Sequence, residues 1–120
     1  MFNFLRPSGA SVQRINPKDA VERHAKGELL VIDVRDAMEL RQGKAAGALH
    51  VPLMALKMKC DPSSPECLPE LSVDKPIALY CASGARSQGA GQMLMQMGYK
   101  EVYNLGGLMH WYQAGGAIER

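Results

Sequence analysis

The sequence has no run approaching the roughly 20 consecutive apolar residues that a membrane-spanning helix needs. A helical membrane protein is therefore excluded. It has no internal repeat and no low-complexity tract. It has no strong excess of one charge. Fourteen Lys and Arg stand against twelve Asp and Glu, a formal net charge of +2, and the basic residues are scattered. That is too little for a nucleic-acid footprint. Cysteine is scarce and odd in number, at Cys60, Cys67 and Cys81. An odd count in a chain for which no leader is expected argues against a disulfide framework and leaves at least one thiol free or reactive. The opening stretch MFNFLRPSGA has no positive region ahead of an apolar core. A secretory signal is not expected, and a cytoplasmic location follows by default.

What is present fits one globular unit. The 120 residues are 47% hydrophobic and 22% charged, near the average for folded domains. A domain of this length buries roughly two-thirds of its unfolded surface and needs no staples. Residues 1–10, with Pro7 and Gly9 as breakers, read as a flexible N-terminal segment, and the domain is expected over 11–120.

Apolar patterning outlines alternating strands and helices. Asn16-Pro17 reads as a helix start, since Asn16 can cap and Pro17 suits the first helical position. Ala20, Val21, His24 and Ala25 then share a face, and Gly27 stops the helix. Leu29 to Ile32 is a short apolar run, the mark of a strand covered on both faces, and Asp33-Val34-Arg35 closes it. A helical stretch is expected at Ala37–Gln42, a strand at Leu49–Pro52, a helical piece at Met54–Lys59 and a loop at Asp61–Pro65. Ile77–Tyr80 is a further strand. It runs into Cys81, and a helix starting near Ser87 carries Ala90, Met93, Leu94 and Met97 at helical spacing. Val102–Leu105 reads as the last strand, after which Gly106-Gly107 turns into a helix bearing Trp111. This alternation implies an α/β fold, a small and mostly parallel sheet with helices on both faces. Ligands of such folds bind beyond the carboxyl ends of strands, where Asp33, Arg35 and Cys81 lie.

The segment Cys81-Ala82-Ser83-Gly84-Ala85-Arg86-Ser87 joins a strand to a helix start. The first amides of a helix have no intrahelical partners. Together with the loop amides they can converge on one point as an anion cradle. Gly84 permits the positive φ that a tight ring needs. Arg86 adds a fixed positive charge. A thiol at the head of this ring is expected to ionise readily and to act as a nucleophile.

These residues carry a family resemblance. The loop is similar to the Cys-x-x-Gly-x-Arg-Ser loop of single-domain rhodaneses, which are sulfurtransferases. Asp33-Val34-Arg35 resembles that family's Asp-x-Arg strand end. Gly47 to Pro52 resembles its Gly-Ala-x-x-x-Pro segment, and Gly106-Gly107 with Trp111 its Gly-Gly-x-x-x-Trp turn. Four motifs in order cover about residues 11 to 118. The resemblance implies a rhodanese-like fold and a ping-pong reaction without metal or organic cofactor. The Cys81 thiolate takes the outer sulfur of a donor such as thiosulfate and passes it from a persulfide to cyanide or a cellular thiol, or to a sulfur-accepting protein. The loop residues Ala82 to Ser87 would stabilise the persulfide. Members that use thiosulfate well often carry a basic residue directly after the cysteine. Here Ala82 and Ser83 follow, which argues against thiosulfate as the physiological donor.

Each candidate has a plainer reading. Cys81 is favoured as the nucleophile over a buried structural thiol. Arg86 is favoured as loop-shaping and anion-attracting over a surface ion pair. For Asp33 and Arg35 a structural ion pair is favoured over substrate contact. Ser87 is read as the helix cap, with a hydroxyl that can also reach the thiolate. Trp111, Met93 and Met97 are read as packing, and His24, His50 and His110 share no metal spacing. Cys60 and Cys67, with six residues between them, read as incidental loop thiols ahead of a resolving or redox role. Two other functions are kept. One is a persulfide carrier or binding module for a partner protein. The other is a cysteine phosphatase or arsenate reductase, whose ring has five residues between Cys and Arg where this one has four.

Overall fold

A computed structural model describes residues 11–120. The flexible segment expected at 1–10 lies outside the described residues. The central sheet has five strands, all parallel, in the order β1-β6-β5-β2-β4. They are β1 (Gln13–Arg14), β2 (Leu30–Asp33), β4 (Leu49–His50), β5 (Ile77–Cys81) and β6 (Val102–Gly107). A separate antiparallel pair joins β3 (Lys44–Ala45) to β7 (Ile118–Glu119). The helices are α1 (Pro17–Ala25), α2 (Leu56–Cys60), α3 (Ala85–Gln96) and α4 (Leu108–Gln113). No helix of the described residues is long and apolar enough to cross a membrane.

Side chains alternate across the buried central strand β5, and the alternation sorts the core into two halves. Ile77, Leu79 and Cys81 pack on one face with Leu56 of α2 and Ala90 and Leu94 of α3. Ala78 and Tyr80 pack on the other with Ala20 of α1 and Trp111 of α4. Helices thus cover both faces, as the apolar runs predict. Cys81 emerges at the carboxyl end of the middle strand, directly ahead of α3.

Local signals act where expected at α1. The Asn16 side chain accepts the Lys18 N–H at 2.9 Å, Pro17 opens the helix, and Gly27 leaves it at φ +75°. Other expectations need correction. The helical stretch at Ala37–Gln42 is only a 3-10 turn over Glu39–Gln42. Asp36 and Glu39 exchange side-chain bonds to each other's amides, and Gly43 turns away at φ +109°. The strand at Leu49–Pro52 stops at His50, because Pro52 starts a second 3-10 turn, Leu53–Ala55. The piece at Met54–Lys59 divides between that turn and α2. Val102–Leu105 is neither the full strand nor the last one. Strand β6 continues through Gly106-Gly107, and β7 follows it. The short strands β1, β3 and β7 are too brief to show any period in the sequence.

Candidate functional site

The loop after β5 closes around the sulfur of Cys81. Gly84 adopts φ +103°, which only glycine tolerates at low cost, and this turns its N–H back to Cys81 Sγ at 3.0 Å. The Ser87 hydroxyl lies 3.5 Å from the same sulfur. Cys81 has no exposed surface. Burial opposes its ionisation, but the Ser87 hydroxyl and the amides of Ser87, Gly84 and Ser83 outweigh it and hold the thiol below its ordinary range. The inward-facing donors expected of the ring are therefore present. Ala82, Ser83 and Ala85 form its exposed outer side.

The helix cap expected at Ser87 is a correction. Gly84 occupies the cap position of α3, which starts two residues earlier than the sequence suggests, and Ser87 sits inside the first turn, fully buried. The second reading of Ser87, a hydroxyl within reach of the sulfur, matches the geometry.

Two residues outside the predicted set shape this ring. A bulge in β6 places Gly106 opposite Tyr80 and Gly107 opposite Cys81. A Cβ at Gly107 would stand 2.2 Å from the Ala82 carbonyl oxygen, so the loop can cross β6 only over a bare backbone. Asn104 ties the bulge to the ring. Its Nδ2 donates to the Gly84 carbonyl at 2.9 Å and to Gln88 Oε1 at 3.0 Å. Its Oδ1 accepts the Gly106 N–H at 3.0 Å and the Ser87 hydroxyl at 2.7 Å. The glycine pair was the visible signal for this region. Nothing local marks Asn104.

Arg86 is committed to an acidic partner. Its guanidinium grips Glu39 in a two-pronged pair at 2.7 and 2.9 Å, which holds the Glu39 carboxyl down at about 2. The ion-pair reading of Arg86 is the arrangement found. The charge braces the ring from outside rather than standing free for an anion. Glu39 was not anticipated.

Asp33 and Arg35 form the buried ion pair favoured for them. Arg35 Nη2 meets Asp33 Oδ2 at 2.8 Å, and its Nε lies 3.0 Å from Oδ1. Tyr80 donates to Asp33 Oδ2 at 2.6 Å, and Arg35 donates to the Gly43 carbonyl at 2.7 Å. Burial leads, with the Asp33 carboxylate adding to it, in pushing the Tyr80 hydroxyl up. The pair thus pins the segment that carries Glu39 and, through it, Arg86. Among the histidines, the His24 ring packs edge-on against Trp111, His50 Nε2 meets the Arg35 carbonyl at 2.7 Å, and His110 Nδ1 accepts the Gly107 N–H. Trp111 is core, and Met93 and Met97 pack against the core partly buried. Cys60 is buried and Cys67 half-buried, both as free thiols. Cys60 is the last residue of α2, and Cys67 lies in the loop that follows it.

Two grooves flank the ring. One of about 580 Å³ is lined by Ser83, Gly84, Gln88, Asn104, Arg14 and His110, among others. The other, about 790 Å³, is lined by Ala82, Arg35, Glu39, Leu108, Met109 and Tyr112, among others. Small molecules can reach the loop from either side.

A parallel α/β sheet whose middle strand ends in an amide-ringed thiol defines a class of single-domain cysteine-loop proteins. The chain belongs, within that class, to the family of rhodanese-like domains, whose model matches residues 16–114. A sulfurtransferase of Allochromatium vinosum is 34% identical over 106 residues, covering 87% of this chain and 92% of that protein. The thiosulfate sulfurtransferase GlpE of Coxiella burnetii is 32% identical over 100 residues, covering 82% and 86%. A solved structure from Rhodopseudomonas palustris, described as a protein of unknown function and possible tyrosine phosphatase, superposes with a TM-score of 0.80 at 30% identity and covers 99% of each chain. The family and the named relatives support a sulfurtransferase-type role.

Proposed function

We propose that this protein moves a sulfane sulfur from a small donor to a thiophilic acceptor through a persulfide on Cys81, in a cytoplasmic setting. The observation that supports this reading is the convergence of the Gly84 N–H and the Ser87 hydroxyl on a thiol held below its ordinary range. The Cys81 thiolate attacks the outer sulfur of the donor. With thiosulfate the S–S bond breaks, sulfite leaves with the bonding pair, and Cys81 carries a persulfide. The outer sulfur then bonds to cyanide, giving thiocyanate, or to a thiolate, and Cys81 leaves again as thiolate. The ring amides stabilise the negative sulfur at each stage. The loop residues Ala82 to Ser87 form that cradle, while Asp33 and Arg35 support it from behind.

Thiosulfate is a poor fit as the physiological donor. The position after Cys81 is the neutral Ala82, and the Arg86 charge is engaged by Glu39. The ring has four residues between Cys81 and Arg86, which suits one sulfur atom better than a tetrahedral phosphate. The full burial of Cys81 supports a second reading, a persulfide carrier that discharges to a docked protein.

Intact mass after incubation with thiosulfate or another sulfane donor tests the proposal. One added sulfur is expected, confined to the Cys81 peptide. A chain that stays unloaded while hydrolysing an aryl phosphate would overturn it. Steady turnover with cyanide marks the enzyme, and a single loading without turnover marks the carrier.

A further inference from the structure

The Ser87 hydroxyl has one hydrogen and three neighbours that can receive it. Asn104 Oδ1 lies at 2.7 Å, the Gly84 carbonyl at 3.1 Å and Cys81 Sγ at 3.5 Å. These claims cannot all be met at once. While Cys81 is a thiol, its S–H can donate to Ser87 Oγ and Ser87 can donate to Asn104. Once Cys81 is a thiolate, the sulfur needs the Ser87 hydrogen for itself.

We infer that Asn104 is a positioning residue for Cys81, competing with the sulfur for the Ser87 hydrogen and so setting how readily the thiol ionises. The inference rests on the proposed role of Cys81 and deepens it. On ionisation the S–H proton leaves to solvent, and the Ser87 hydroxyl turns from Asn104 Oδ1 to the sulfur. Asn104 Oδ1 keeps the Gly106 N–H at 3.0 Å, so the turn leaves no bare buried acceptor behind. Asn104 Nδ2 stays on the Gly84 carbonyl at 2.9 Å, so the Gly84 N–H keeps its aim at the sulfur throughout. When the sulfur becomes the neutral inner atom of a persulfide, the hydroxyl is free to return. Ser87 thereby follows the charge on the sulfur, and Asn104 supplies the resting partner.

The test is a double-mutant cycle read as a pH profile. The rate at which iodoacetamide alkylates Cys81 is followed against pH by peptide mass spectrometry, which separates Cys81 from Cys60 and Cys67. Sulfur loading plays no part in this readout, so its outcome is distinct from that of the proposed function. Asn104→Ala removes the competing acceptor and also the Nδ2 hold on the Gly84 carbonyl. The second loss acts alike with or without Ser87, so the readout is the Ser87-dependent part of the shift, which is expected to lower the midpoint by about half a unit. Asn104→Asp keeps the shape and strengthens the competing acceptor, so its midpoint is expected to rise. It also serves if the alanine variant folds poorly. In a Ser87→Ala background that lowering is expected to vanish, leaving only the effect of the lost hold on Gly84, and the Asn104→Asp rise is expected to shrink. Shifts of equal size in the two backgrounds, or no shift in either, would overturn the inference.

Discussion

Cys81 and Cys60 are both wholly buried, both in the same half of the core, and chemically opposite. Burial, helped by nearby Cys67, pushes the Cys60 thiol up to about 12. Burial acts on Cys81 in the same direction, yet its thiol ends below the ordinary range. The difference is position on the backbone. Cys60 closes α2, at the carbonyl end of a helix, and its own carbonyl accepts the Tyr99 hydroxyl at 2.5 Å. Cys81 stands before the amide end of α3, where N–H groups lack partners. Depth in the core does not decide how readily a thiol ionises. The donors that face it do.

The strongest way to break this comparison is to exchange the roles of the two thiols. Cys81→Ala is expected to abolish sulfur loading altogether, as seen by intact mass. Cys60→Ala should keep full loading and lose about 1 kcal/mol of stability in urea titration. Loading that survives in Cys81→Ala would show that the contrast between the sites has no chemical meaning.

The next largest effect acts on the support that the ring rests on. Asp33→Asn removes the negative partner of buried Arg35 while keeping its shape. A cost of about 3–5 kcal/mol is expected, because the guanidinium stays buried and unpaired. Since the pair lies behind the sheet end rather than on the sulfur, the pH midpoint of Cys81 alkylation should hold in the fraction still folded. A shifted midpoint would place Asp33 in the site itself.

Gly107→Ala tests the ring directly. The new methyl would overlap the Ala82 carbonyl, so the crossing of loop and strand must give way. A loss of about 3 kcal/mol is expected. With the Gly84 N–H displaced, the Cys81 midpoint should rise toward the behaviour of Cys60. An unchanged alkylation profile would show that the amide is not what arms the thiol.

These residues also show how far the sequence could be read. Cys81, Gly84 and the strand before them were legible because their signals are local. An apolar run, a glycine and a helix start fall within a dozen residues. Asn16-Pro17 was legible for the same reason. Asn104 was not, since its partner Gly84 lies 20 residues away and an Asn near a strand end has many uses. Glu39 is 47 residues from Arg86, so the free cation expected at the loop became a brace. Ser87 was misread as a cap because the φ that Gly84 adopts moves the helix start by one half-turn. The pairing of β3 with β7 joins two two-residue strands, and no period can show in so short a piece.

The smallest effect compares the ion pairs that brace the two thiol loops. Glu39–Arg86 is two-pronged and close, with side chains 28% and 38% exposed. Lys59–Glu66, beside Cys60 and Cys67, is a single contact at 3.6 Å with 36% and 58% exposure. Glu39→Gln is expected to cost about 1 kcal/mol or less at pH 7, and Glu66→Gln close to nothing, because solvent screens such pairs. The Glu39 contribution carries a pH signature. Arg86 holds its carboxyl at about 2 in the folded chain against an ordinary 4.5. A lowered carboxyl stabilises the fold fully above the unfolded value and loses that contribution as pH falls through the folded one. The stability gap between wild type and Glu39→Gln should therefore be constant above about pH 5 and close between 4.5 and 2. Urea titrations of both proteins across that range would reveal it. A gap that is flat down to pH 2 would mean that the brace on the Cys81 side is no stronger than the one beside Cys60.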